Sequence, residues 1–118
     1  MIISTSHFSF PGPKHDNQDS VLEKFQFGPD FALAIADGIG GRAGGDVASN
    51  LVIKLIQEQL INNPAIKPVD LFGILQSALV NYAEQHPNTS KLGTTLSLCL
   101  FRGNTVDVAH VGDSRIYH

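Results

Sequence analysis

The residues best suited to chemistry form one short stretch, Ala36-Asp37-Gly38-Ile39-Gly40-Gly41, closing an apolar run that begins at Phe31. A carboxylate at the end of a buried strand is rigidly aimed, and a glycine after it lets a backbone carbonyl approach a ligand with no side chain in the way. Hard divalent cations such as Mg2+ and Mn2+ take oxygen ligands, and the run Asp16-Asn17-Gln18-Asp19 could supply more of them. Taken alone, that second run favours a solvated turn.

The glycines fit a second pattern as well. Gly38-Ile39-Gly40-Gly41-Arg42-Ala43 matches G-x-G-x-x-[GA] between an apolar strand and a helix, the setting of a dinucleotide fingerprint. Asp37 counts against it, because its carboxylate would face the pyrophosphate. So does the missing acid about 20 residues on, at the end of a second parallel strand; Glu58 stands near that spacing but inside a helical stretch. The metal reading is preferred. Cys99, the only cysteine, lies in Leu98-Cys99-Leu100 and reads as a small buried thiol with no phosphate-cradling loop around it. His15 and His110 are proton donors by type, but surface solvation and strand packing are their expected roles.

The elements that must position these groups follow from periodicity. Residues 1–10 alternate as an edge strand does, Val21 to Phe27 reads as a second strand, and Phe31 to Ala36, apolar on both faces, as a doubly covered strand ending at Asp37. Asp46 can cap a helix carrying Val47, Leu51, Ile53, Leu55 and Leu60 and stopping near Asn62-Asn63-Pro64. A second helix starts around Val69, buries Leu71, Ile74, Leu75, Ala78, Leu79 and Tyr82, and ends before Pro87. Strands at Gly93–Phe101 and Thr105–Val111 flank a tight turn at Arg102-Gly103-Asn104, and Gly112-Asp113 reads as a plain turn into a last strand. Three strands, two helices and at least three more strands make an α+β order.

Bulk properties narrow the function classes. At 118 residues, 42% hydrophobic and 16% charged, the chain is at most one globular domain. Its net charge of -3, with eight scattered Lys and Arg, argues against a nucleic-acid partner. No stretch approaches the roughly 20 apolar residues of a membrane span, and Met1 leads into Ile2-Ile3-Ser4-Thr5 without the features of a secretory signal, so a cytoplasmic protein with no membrane partner is expected.

Four segments in order, Lys14-His15-Asp16-Asn17-Gln18-Asp19, Ala36 to Gly41, Gly93-Thr94-Thr95-Leu96 and Val111-Gly112-Asp113-Ser114-Arg115-Ile116-Tyr117, resemble the type-2C metal-dependent serine/threonine protein phosphatases in their compact bacterial form. The resemblance spans about residues 14 to 118; its second and fourth segments are specific and Gly-Thr-Thr is supportive. It implies an α/β/β/α sandwich of antiparallel sheets flanked by helices, four layers of which this chain would hold an incomplete set. Residues 1–118 would then be the N-terminal part of a single phosphatase domain, truncated at the C-terminal end.

The resemblance also implies a site. Asp19 would bind one metal, Asp37 bridge two, the Gly38 carbonyl join their water-filled shell, and Asp113 serve a third, weaker metal. Mn2+ or Mg2+ ions would activate a bridging water for attack on a phosphoserine or phosphothreonine, with no phosphoenzyme. Lys14 stands where relatives usually carry an arginine for the substrate phosphate, a point charge in place of a fork. Gln18 stands where many have Glu, one negative charge fewer behind the metal ligands. Ile39 replaces a histidine that some eukaryotic members carry. The implied partners are a phosphorylated protein substrate and an opposing serine/threonine kinase, and the fragment alone is expected to be inactive. A phosphoprotein-binding pseudophosphatase is the alternative that Lys14 and Gln18 motivate.

Overall fold

The computed structural model describes the backbone of residues 19–39, 45–86 and 93–117, and the side chains of residues 20–38, 46–86 and 93–110. The expected strand at residues 1–10 and the glycines at 40 and 41 lie outside these. The elements are β1 (Asp19–Phe27), β2 (Asp30–Ile39), α1 (Gly45–Asn62), α2 (Pro68–Gln85), β3 (Gly93–Arg102) and β4 (Thr105–Tyr117). The strands form one antiparallel sheet in the order β1-β2-β3-β4, with both helices inserted between β2 and β3. The α+β expectation therefore holds. Two tight turns close the hairpins, at Gly28 and Gly103, whose φ of 65° and 60° glycine adopts without strain.

Strand alternation divides the sheet into two unlike faces. Ala32, Ala34 and Ala36 of β2, with Leu96, Leu98 and Leu100 of β3, turn toward the helices and are buried. From the helices, Ala48, Val52, Ile56 and Leu60 of α1 and Leu71, Leu75, Leu79 and Ala83 of α2 meet them. These are i, i+4 stripes, one per helix. The other face carries Phe31 stacked on Phe101 at 4.4 Å, then Leu33, Cys99, Ile35 and Val108. Among the described residues no helix covers it, and Ile35 and Val108 are 42% and 71% exposed.

Several expectations are corrected here. β2 is covered on one face rather than two, and it continues through Gly38 and Ile39 instead of ending at Asp37. Cys99 is half-buried on the open face, not in the helix-side core. The buried stripe of α1 begins at Ala48, leaving Val47, Leu51, Ile53 and Leu55 only partly covered, and Ile74 of α2 points outward. Among the described residues two strands, not three, follow the helices, because Gly112-Asp113 fall in a bulge within β4 rather than in a turn that ends it. Among the described residues no helix is long and apolar enough to cross a membrane.

Arg102, at the end of β3, ties the layers together. Its Nη1 donates to the carbonyls of Ile66 (2.6 Å) and Pro64 (3.2 Å) in the loop between the helices, and Nη2 donates to Asp107 Oδ2 at 2.7 Å. A lysine's three donors sit on a single nitrogen and cannot span acceptors that Arg102 reaches from two separate nitrogens. Arg102→Lys is expected to lower stability by about 1.5 kcal/mol, read as a shift in urea midpoint, since carbonyls tied to a charged donor lose it.

Candidate metal centre

The acidic positions singled out in the sequence meet at one end of the sheet. Asp19 of β1 is the direct partner of Asp37 on β2, and Asp37 is the partner of Thr95 on β3. On β4 the ladder jumps from Leu96↔Val111 to Thr94↔Ile116, so the four residues Gly112 to Arg115 stand against the single residue Thr95. Asp113 is one of these four, so its backbone falls in the bulge opposite Thr95. Neighbouring strands lie about 4.8 Å apart, so Asp19 and Thr95 are separated by only about 10 Å.

A bulge makes this pairing. Glu23 and Lys24 of β1 oppose Leu33 alone, and Lys24 takes a φ of 49°, the left-handed region. Beyond the bulge the pairing is Phe25↔Ala32 and Phe27↔Asp30; before it, Leu22↔Ala34 and Asp19↔Asp37. Extending the first register without the extra residue would set Ser20, not Asp19, opposite Asp37. The phase slip is also what lets both Leu22 and Phe27 be buried. Lys24→Gly is expected to raise stability by about 0.5 kcal/mol by relieving the left-handed side chain, and Lys24→Val to lower it by about 1 kcal/mol or more, both from denaturant midpoints.

Surrounding contacts hold the row. Ser20, next to Asp19, points its Oγ at Asn50 Oδ1 (2.6 Å) and Ser49 Oγ (3.0 Å), which anchors β1 to the first turns of α1. Thr94 is buried on the helix side and donates its hydroxyl to the Thr95 carbonyl at 2.8 Å. Thr95 Oγ1 reaches the Asp37 carbonyl at 3.4 Å. The Asp37 carboxylate is exposed and makes no hydrogen bond or ion pair among the described residues.

The donor set suits a hard cation. Like charges at directly opposed sheet positions destabilise the pairing, and Asp19 opposite Asp37 is such an arrangement. A divalent cation with oxygen preference would convert that cost into ligation. The shell is partial: no three His, Cys, Asp or Glu gather into a metal cluster among the described residues. Asp19 and Asp113 are placed by backbone alone, and Lys14, His15 and Gln18 lie outside the described residues. His110 lies in β4, with Nδ1 2.7 Å from Ser97 Oγ. The sequence reading missed this tie and the role of the Lys24 bulge. The off-phase spacing of Leu22 against Phe25 and Phe27 was the available signal for the latter.

The protein phosphatase 2C profile matches residues 13–118. The serine/threonine protein phosphatase PstP of Mycobacterium tuberculosis is 38% identical over 109 residues, 86% of this chain and 20% of PstP. The serine/threonine phosphatase stp of Listeria monocytogenes is 32% identical over 114 residues, 88% of this chain and 44% of that protein. A crystal structure of the PstP catalytic domain in complex with two manganese ions superposes with a TM-score of 0.69 at 33% identity, over 90% of this chain and 46% of that one. The chain thus spans less than half the length of each of these relatives. Because the profile takes in nearly every residue, and these relatives align across most of the chain, the chain belongs to the protein phosphatase 2C family.

Proposed function

We propose that this chain supplies one side of the active site of a phosphatase that removes phosphate from phosphoserine and phosphothreonine in proteins, using two divalent cations, Mn2+ or Mg2+. The observation that carries the reading is the direct pairing of Asp19 with Asp37 at the sheet end where the β4 bulge containing Asp113 also lies. When bound, the cations supply a water activated for in-line attack on phosphorus. Asp37, on an interior strand paired on both sides, Asp19 and the carbonyl of Gly38 would hold the two cations from this side, and Asp113 would hold a third, weaker one. Lys14 meets the substrate phosphate as a point charge, and Gln18 leaves one negative charge fewer behind the ligands.

The PstP structure with two manganese ions supports the choice of cation, and Mg2+ shares its preference for oxygen. Residues 1–118 are read as the N-terminal part of one domain, in which a second sheet covers the open face of Phe31, Ile35 and Val108 and brings the remaining ligands. The fragment alone is then inactive. A cytoplasmic setting and an opposing serine/threonine kinase belong to the same reading, and the acidic net charge gives nucleic acid no place in it.

The test is an assay of the full-length gene product on a phosphothreonine peptide. Activity should require Mn2+ or Mg2+, vanish in EDTA and return on adding metal. Metal-independent turnover would overturn the mechanism. A folded protein with no calorimetric Mn2+ site would favour the phosphoprotein-binding alternative.

A further inference from the structure

We propose that Ser97 and His110 form a positioning pair that latches β4 to β3 at the root of the bulge carrying Asp113. Ser97 and His110 are direct cross-strand partners, and Ser97 Oγ lies 2.7 Å from His110 Nδ1. Ser97 is followed toward the sheet end by Leu96↔Val111, the last pair before the bulge, after which four residues of β4 oppose Thr95 alone. Across such a bulge the ladder hydrogen bonds are interrupted, so the position of residues 112–115 depends on how firmly the strands are held on either side.

The two faces hold β4 by different means. On the helix side, Leu96 is fully buried and hydrophobic packing fixes the register. On the open side, Val106 and Val108 are exposed and His110 is exposed as well, so burial does little there. The Ser97–His110 bond is the side-chain hydrogen bond between β3 and β4 nearest the bulge among the described residues; the Arg102–Asp107 ion pair sits at the far end of the hairpin. Ser97 also stands two residues from Thr95, on the same face of β3 as the partner of Asp37. His110 therefore acts through the placement of 112–115, not by touching substrate.

The proposal rests on the metal reading only for its functional consequence, so the experiment has a metal-free arm. In the full-length protein without metal, His110→Leu and Ser97→Ala should speed amide hydrogen exchange at least about tenfold at Val111 to Arg115, while exchange near Gly103 stays as in the wild type. With Mn2+, both variants should need a several-fold higher concentration for half-maximal phosphatase activity. His110→Asn, whose amide can occupy the place of Nδ1, should restore both readouts. Unchanged local exchange in His110→Leu overturns the latch whatever the metal does. So does a uniform rise in exchange that His110→Asn fails to correct, which would mark general destabilisation. Altered local exchange with unchanged Mn2+ dependence overturns the link to metal placement. A wild-type protein indifferent to Mn2+ would instead bring down the metal reading, with the exchange arm still deciding whether the latch exists.

Discussion

Asp37→Asn in the full-length protein should reduce Mn2+-dependent turnover of a phosphothreonine peptide by at least about a thousandfold while leaving the metal-free fold as stable as before, or slightly more stable. Losing a partner of a metal ligand costs about 10–100-fold. If Asp37 holds both cations, as proposed, its loss compounds, to about 4 kcal/mol or more of barrier at 1.36 kcal/mol per tenfold. The stability effect has the opposite sign. Asp19 and Asp37 are paired positions, and neutralising one removes a like-charge repulsion of about 0.2–1 kcal/mol. Thermal melts in EDTA and in Mn2+ separate the two effects: the wild type should gain stability with rising Mn2+ by mass action, and the Asn variant should not. A structural Asp37 would give the reverse, a less stable apo protein that still turns over, and that result would sink the assignment.

How much of this was legible beforehand differs element by element. The turn at Gly103 depends on a single residue whose chemistry is local, and it read correctly from the sequence; the end of β2 did not, since pairing with β3 carries the strand through Gly38 and Ile39. The pairing of Asp19 with Asp37 did not, because register is a property of two strands, and here it turns on one extra residue at Lys24. α1 misled for another reason. Leu51, Ile53 and Leu55 surround the helix, so apolar residues alone do not choose a face; the sheet chose it, by offering three alanines on β2 that let the Ala48, Val52, Ile56 stripe approach closely. β2 looked covered on both sides since Phe31, Leu33 and Ile35 are apolar, yet the face they line is open. Apolar composition records that a face is meant to be covered, not which part of a protein covers it.

The same alanines set the second large effect, at Leu98. On the helix side Leu98 is flanked across the sheet by Ala34 on β2 and Ala109 on β4, and Leu96 and Leu100 alternate with Ala36 and Ala32 in the same manner. β3 thus supplies the volume of this layer, and its neighbours supply clearance for α1, which packs chiefly over β2. Leu98→Ala would leave three alanines in a row across the sheet, with no large side chain within that row to fill the void, so the cost should fall at the upper end of the usual range, about 3–5 kcal/mol. Against a typical total of about 5–15 kcal/mol that is enough to populate the unfolded state near physiological temperature. Ala34→Leu alone should cost about 1–3 kcal/mol by lifting α1 off the sheet. If volume alone mattered, combining the two would restore the wild type. Because α1 packs more over the alanines of β2 than over β3, the double variant should regain less than half the loss, and Mn2+ affinity should fall only in the variants that move α1, through Ser20 and its contacts at Asn50 and Ser49. Urea midpoints of the full-length protein measure each step. A cost below about 1.5 kcal/mol for Leu98→Ala would mean the layer relaxes freely, and the alternation of large and small residues would not be what sets the height of α1 above the site.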